Sequence, residues 1–336
     1  MIGVYFMASK LTEKENILRM FRGEDYEYVP NGSILMRGSV ANSALPHATG
    51  NLQEDGRIFN IFGVEFVNEG GNIPKPGQFM LDDIRKWRDV IKRPAILDEI
   101  DWERQAKIDL EGRDDPNSIR VVDSALTMGY FQALVSFMGF TEGLVALIEE
   151  PEEVRELFHF FLELNIENGK KYLHYYKPEM YHGLDDIAHQ RAPFVSEEVF
   201  LDLIEPMWRA EVSLFREAGC YAQHHNCGYF EPFAPFIADM GYNFWSPQSM
   251  NDIVGLLTRL KGKLAMSQGL PFDFLQKNPA PTEEEVREEV RRVMDLYAPA
   301  GSYVFSGGFA PPDDEEGAKR SAWILDEYEK NKFKYF

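Results

Sequence analysis

Two histidines and a thiol fall within the short run Ala222-Gln223-His224-His225-Asn226-Cys227-Gly228, and no other stretch of the chain concentrates as much soft ligand chemistry. In an extended run alternate side chains share a face, so His225 and Cys227 look one way and His224 and Asn226 the other. An imidazole and a thiolate on one face can chelate a single metal ion. A bare His-x-Cys would serve equally as a strand end, with a buried cysteine packing as a small hydrophobe and a histidine bonded to backbone. Position favours the chemical reading, because the run follows an amphipathic helix and stops at Gly228, where a strand gives way to a loop. Cys220, at the end of that helix, is expected to pack rather than ligate.

A series of βα units must hold these residues in place. From Ile119 onward short apolar strands alternate with longer amphipathic helices, the pattern of a parallel sheet. It predicts strands near Ile119–Asp123, Met180–Asp185, Tyr221–Asn226, Asn243–Ser246, Lys263–Ser267 and Tyr303–Ser306, with helices between them; Pro151 suits the first position of one such helix. The first part of the chain reads differently. Thr12 caps a first helix, with Glu15 completing a capping box, and Ile34–Arg37 reads as extended. Residues 38–77 are rich in Gly, Asn and Pro and predict an irregular layer with one strand-like piece, Phe62–Asn68.

The later strands, plus one or two from the first hundred residues, suffice to close an eight-stranded barrel, which typically takes about 250 residues. The expected fold is therefore α/β, a single (β/α)8 TIM barrel with an irregular N-terminal extension. It forms one domain over 1–336, with the N-terminal layer and first strands in 1–115 and regular βα units in 116–336. An open doubly wound sheet competes, but no Gly-rich phosphate fingerprint follows the first strand.

A formal net charge of −20 argues against a nucleic-acid partner, which is bound by neutralising phosphates with Lys and Arg. Cys220 and Cys227 lie too close together for a secreted disulfide framework, so a reducing, cytoplasmic location is expected. Met1–Met7 is apolar but has neither the basic start nor the long apolar region of a signal peptide. No apolar run approaches the ~20 residues of a membrane span.

In a barrel, catalytic groups sit at the C-terminal ends of strands. One strand runs out into Asp185-Asp186-Ile187-Ala188-His189-Gln190-Arg191, the next into His225 and Cys227, and a later one into Gln268-Gly269. Taken singly, each is also explained as a helix cap or turn residue, and Asp–Arg pairing is an ordinary reason for the first cluster. Adjacent strand residues face opposite ways, so only one of the two aspartates can look into the mouth. Asp186 is expected inward, as ligand or acid, with Arg191 pairing with Asp185.

Several segments together resemble the uroporphyrinogen decarboxylase superfamily over nearly the whole chain, in the branch that includes cobalamin-dependent methyltransferases. They are Leu11-Thr12-Glu13-Lys14-Glu15, Phe21-Arg22-Gly23-Glu24, Val29-Pro30, Phe62-Gly63-Val64-Glu65-Phe66, Gly183-Leu184-Asp185-Asp186, Gln190-Arg191-Ala192-Pro193-Phe194-Val195-Ser196, His225-Asn226-Cys227-Gly228, Pro247-Gln248-Ser249-Met250-Asn251-Asp252 and Thr282-Glu283-Glu284-Glu285-Val286. The resemblance implies a (β/α)8 barrel and one of two chemistries. The decarboxylases have an arginine-rich N-terminal segment for substrate carboxylates and an essential aspartate in Phe-Ser-Asp. Here Met36-Arg37-Gly38 keeps one arginine, and Phe-Ser-Asp does not occur. The methyltransferases carry His-x-Cys at this strand and a later cysteine at the final strand, completing a zinc site. In this chain Ser306-Gly307-Gly308 stands where that cysteine would be.

Zinc takes three or four protein ligands, so His225 and Cys227 need company, and Asp186, Asp185, His189 and Glu65 are the candidates. Losing one thiolate makes the metal a stronger Lewis acid, which suits an oxygen substrate. The function this implies is transfer of a methyl group from a small O-methyl donor, such as a phenyl methyl ether, to the cobalt of a corrinoid protein. The chain has no cobalamin-binding Asp-x-His-x-x-Gly stretch, so the corrinoid is carried by a separate partner. Zn2+ is held by His225 and Cys227. Asp186, Asp185, Arg191 and His189 are the catalytic candidates. Arg37, Phe62, Glu65, Trp245 and Gln268 are the substrate-binding candidates, with Phe66 and Phe309 as further aryl walls. Two other readings stand beside it: a metal-independent decarboxylase using Arg37 and Arg191 as anion holders, and a non-catalytic adaptor for a corrinoid protein.

Overall fold

A computed structural model describes residues 10–123, 125–307 and 314–336; Phe309, Gly308 and the Met1–Met7 segment lie outside them. The strands are β1 (Ser39–Val40), β2 (Asn51–Leu52), β3 (Ile58–Phe59), β4 (Glu65–Asn68), β5 (Asn72–Pro74), β6 (Val121–Val122), β7 (Met180–Leu184), β8 (Tyr221–His225), β9 (Phe244–Ser246), β10 (Ala265–Gln268) and β11 (Tyr303–Phe305). Seven belong to the parallel βα series and succeed one another in chain order, β1-β6-β7-β8-β9-β10-β11. The α/β class and the parallel series stand as expected. The described residues supply these seven strands rather than the eight of a closed barrel.

Two compact units divide the chain, one of Met1–Ser39, Asp115–Ile119 and Tyr242–Phe336, the other of Val40–Asp114 and Arg120–Gly241. In the first, β10 pairs in parallel with β9 and β11, and Asn31 adds a parallel bridge to Phe305. Its helix Glu283–Tyr297 buries Val286, Val290, Val293 and Met294, the i, i+4, i+7, i+8 stripe of one face, and begins in a full capping box between Thr282 and Glu285. The first helix, Glu13–Phe21, has half of the expected box. Thr12 accepts the N–H of Glu15, but the Glu15 carboxylate turns to Arg19 and Arg22. Ser33–Arg37 is helical, not extended: Asn31 Oδ1 accepts the Ser33 N–H and the Gly32 carbonyl that of Leu35, so the chain turns as soon as it leaves the bridge.

In the second unit β6, β7 and β8 pair in parallel, with Met180↔Tyr221 through Leu184↔His225 in register. One face of this sheet packs on helix Glu205–Glu217, where Tyr181 stacks on Phe215 at 4.5 Å and His224 lies 4.3 Å from Trp208. The segment expected to be irregular carries a four-stranded antiparallel sheet, β2-β3-β4-β5. Its strands run two to four residues, too short to display a period of two in the sequence. Among the described residues no single helix is both long and apolar enough to cross a membrane.

Candidate metal centre

Asp186, His225 and Cys227 each turn one ligand atom to a common point, all within 4.8 Å of one another and all half-buried. The register explains the meeting. Leu184 pairs with His225, and Asp186 and Cys227 each come two residues later in their chains, so alternation keeps all of them on the sheet face opposite the helix. His182 and Gln223 share that face. The backbone N–H of Cys227 donates to Asp186 Oδ1, locking the two strand ends together.

Gly228 permits this approach. Its φ is +89°, and a Cβ there would lie 2.6 Å from the carbonyl carbon and oxygen of Ala188. Beside it the Tyr229 N–H donates to the His189 carbonyl at 2.7 Å.

The neighbouring aspartate has a different task. Asp185 is fully buried, and its carboxylate accepts the N–H groups of Tyr130, Phe131 and Gln132 at 2.8, 3.1 and 3.1 Å. These are orphan donors of helix Tyr130–Met138, whose own N-cap is Gly129 and supplies no side chain. Burial pushes the Asp185 carboxyl up to about 7, against the pull of the three N–H groups. Arg191, expected to be its partner, is instead exposed and donates its backbone N–H to His189 Nδ1.

The donor set suits zinc. Around a tetrahedral zinc with ligand distances of about 2.3 Å to sulfur and about 2.0 Å to nitrogen, the S···N edge is about 3.5 Å. Cys227 Sγ and His225 Nε2 are 3.6 Å apart. Burial, then the Asp186 carboxylate, push the Cys227 thiol up to about 12. Such a thiol ionises at neutral pH only beside a cation, so metal binding would release its proton.

The same fold is found in a methyltransferase from Methanosarcina mazei. That structure aligns with a TM-score of 0.64 over 95% of this chain and 99% of its own, at 14% sequence identity, so the likeness is one of fold. A truncated form of 3-deoxy-D-arabino-heptulosonate 7-phosphate synthase from Thermotoga maritima aligns over 46% of this chain and 49% of its own with a TM-score of 0.29 at 14% identity, too low to carry an argument. No family model and no curated protein matches the chain.

The other sequence candidates are dispersed. His189 is exposed on the small turn bridged by Ala188 and Pro193. Glu65 is paired with Lys75 at 2.9 Å. Phe62 packs edge-on against Phe137 and Phe161. Arg37, Trp245 and Gln268 belong to the other unit. There Arg37 pairs with Glu13 at 2.8 Å, Trp245 is fully buried, and Gln268 donates to the Pro247 carbonyl at 2.9 Å. Cys220 is buried and its thiol donates to the Pro178 carbonyl at 3.2 Å.

Sequence reading passed over two residues beside the centre. His182 lies on the same sheet face, and burial lowers its imidazole to about 4, keeping it uncharged. Extending the alternation from His225 across to the neighbouring strand would have found it. Gln132 donates from Nε2 to the Asp186 carbonyl at 2.8 Å; a lone amide in the apolar run Tyr130–Met138 was the available signal.

Proposed function

We propose that the chain is a methyltransferase that moves a methyl group from a small O-methyl donor to the cobalt of a separate corrinoid protein, with Asp186, His225 and Cys227 holding zinc. The convergence of these three ligand atoms carries the reading, and the fold shared with a methyltransferase supports it. Asp186, His225 and Cys227 would hold zinc with three protein ligands, as catalytic zinc sites do, and the ion would supply Lewis acidity toward the ether oxygen of the donor. A corrinoid presented by the partner would supply the acceptor for the methyl carbon; as the carbon–oxygen bond breaks, its electron pair would leave with the oxygen as a phenolate, which takes a proton from water.

The chain's own residues fix this arrangement. Asp186 is held by the Cys227 N–H, Gly228 lets the two strand ends meet, and Asp185 anchors the helix beside them. The test is to incubate the zinc-loaded protein with methoxybenzene and free cob(I)alamin and follow methylcobalamin by absorbance. Formation that disappears in Cys227→Ala is the expected result. Absence of zinc and of methyl transfer in the wild type would overturn the proposal.

A further inference from the structure

The β7–β8 ladder ends at Leu184↔His225, so Asp186 lies beyond the last strand pair that could fix it. Its carboxylate nevertheless converges with His225 and Cys227. A ligand on a loose strand end would lose conformational freedom on meeting an ion, and a well-formed site avoids that loss by holding the ligand in advance. Here the hold comes from the side opposite β8, through one residue of helix Tyr130–Met138.

Gln132 grips both aspartates. Its backbone N–H donates to Asp185 Oδ1 at 3.1 Å, and its side-chain Nε2 donates to the Asp186 carbonyl at 2.8 Å. The first bond has company: Tyr130 and Phe131 donate their N–H groups to Asp185 Oδ2 at 2.8 and 3.1 Å, and the Trp208 indole adds a longer bond at 3.4 Å. Gly129 lets the helix come this close, since a Cβ there, at φ +129°, would lie 2.3 Å from Asp185 Cγ. On the other side the Asp185 N–H donates to the His225 carbonyl at 3.4 Å. Asp185 is therefore fixed whatever Gln132's side chain does. Of the bonds from the helix, only the Gln132 amide acts on Asp186 itself. A half-buried carbonyl past the ladder needs a donor; without that amide the peptide could rotate toward water, and the carboxylate on the same residue would turn with it.

We infer that Gln132 is a positioning residue of the metal centre, keeping the Asp186 carboxylate aimed at His225 and Cys227 before an ion arrives. The inference rests on the proposed zinc centre for the ion, and on the geometry alone for the hold on Asp186. Two substitutions test it in the full chain. Gln132→Met keeps the length of the side chain without the donor, and Gln132→Glu keeps its shape but turns an acceptor toward the carbonyl; either suffices should the other not fold. The readouts are amide hydrogen exchange by NMR on metal-free protein and a Co2+ titration followed by absorption. The Cys227 amide, whose acceptor is Asp186 Oδ1, should exchange about tenfold faster than in wild type. The Tyr221 amide, bonded to the Glu179 carbonyl at 2.8 Å, should keep its rate. Co2+ affinity should fall about tenfold, with the d–d bands displaced and the thiolate band kept. A role in stability alone would speed both amides alike and leave the bands in place. Wild-type Co2+ affinity in the folded variants, or Cys227 exchange no faster relative to Tyr221, would overturn the inference. A wild type that takes up no Co2+ while exchange responds as expected contradicts the zinc reading and leaves the hold on Asp186 standing. A wild type that binds Co2+ with a thiolate band, its exchange and affinity unmoved by either substitution, gives the reverse.

Discussion

Asp185 and Asp186 are adjacent, yet one caps a helix and the other converges with His225 and Cys227 on the candidate metal site, and substitution should separate them. Asp185→Asn replaces an acceptor oxygen by an NH2 group aimed at backbone N–H donors. It should cost about 2–4 kcal/mol of stability in chemical denaturation. Asp186→Asn keeps shape but loses the charge of a proposed metal ligand, and should lower metal affinity and turnover by roughly 10²-fold, with a midpoint close to wild type. The opposite pattern, a stability loss at Asp186 and a turnover loss at Asp185, would contradict the assignment.

Asp123, just beyond β6, offers a pH test. Enclosure of its carboxyl raises it from 3.8 to about 7, while its Oδ1 accepts the Ala125 N–H. A carboxyl raised on folding gives its full stability below the unfolded value near 4, loses it as pH rises through about 7, and is flat above. Asp123→Asn should therefore match wild type at pH 4 and be more stable at pH 8. The gain should be roughly 1–2 kcal/mol, less than the whole shift because the residue is only half-buried. Equal stability at both pH values would remove the effect.

At the scale of elements, the centre depends on two strand ends and the glycine that lets them touch. Gly228→Ala places a Cβ against the Ala188 carbonyl at a positive φ, which should push residues 226–229 off the preceding turn. Zinc affinity should fall at least tenfold while the far-UV circular dichroism spectrum is kept. Unchanged zinc affinity would show that the loop gives way without moving Cys227.

Much of this layer was legible in the chain. β7 and β8 lie inside the predicted Met180–Asp185 and Tyr221–Asn226, and helix Pro151–Tyr175 begins at its proline, because long amphipathic helices and apolar strands carry strong periodic signals. The antiparallel sheet was not legible, its strands of two to four residues being too short to show an alternation. Helix Ser33–Arg37 was missed because the Asn31 turn that starts it leaves no pattern in five residues. At the site, same-face alternation could be read for His225 and Cys227. That Asp185 serves a distant helix could not, since its partners are backbone groups more than fifty residues away.

For the whole molecule, the path of the chain carries a prediction. It passes between the two units at residues 39–40, 114–115, 119–120 and 241–242, so neither unit is a continuous segment that one cut could release. The single domain expected from sequence should unfold in one calorimetric transition, and two resolved transitions would contradict it. The central claim, that Asp186, His225 and Cys227 hold a metal, is tested most directly by loading the protein with Co2+ in place of zinc and recording its absorption spectrum. One Co2+ per chain, with tetrahedral d–d bands and a thiolate charge-transfer band that vanishes in Cys227→Ala and whose metal is lost in His225→Ala and Asp186→Ala, is the predicted result. A wild-type spectrum without the charge-transfer band, or metal retained unchanged in all three variants, would contradict the account.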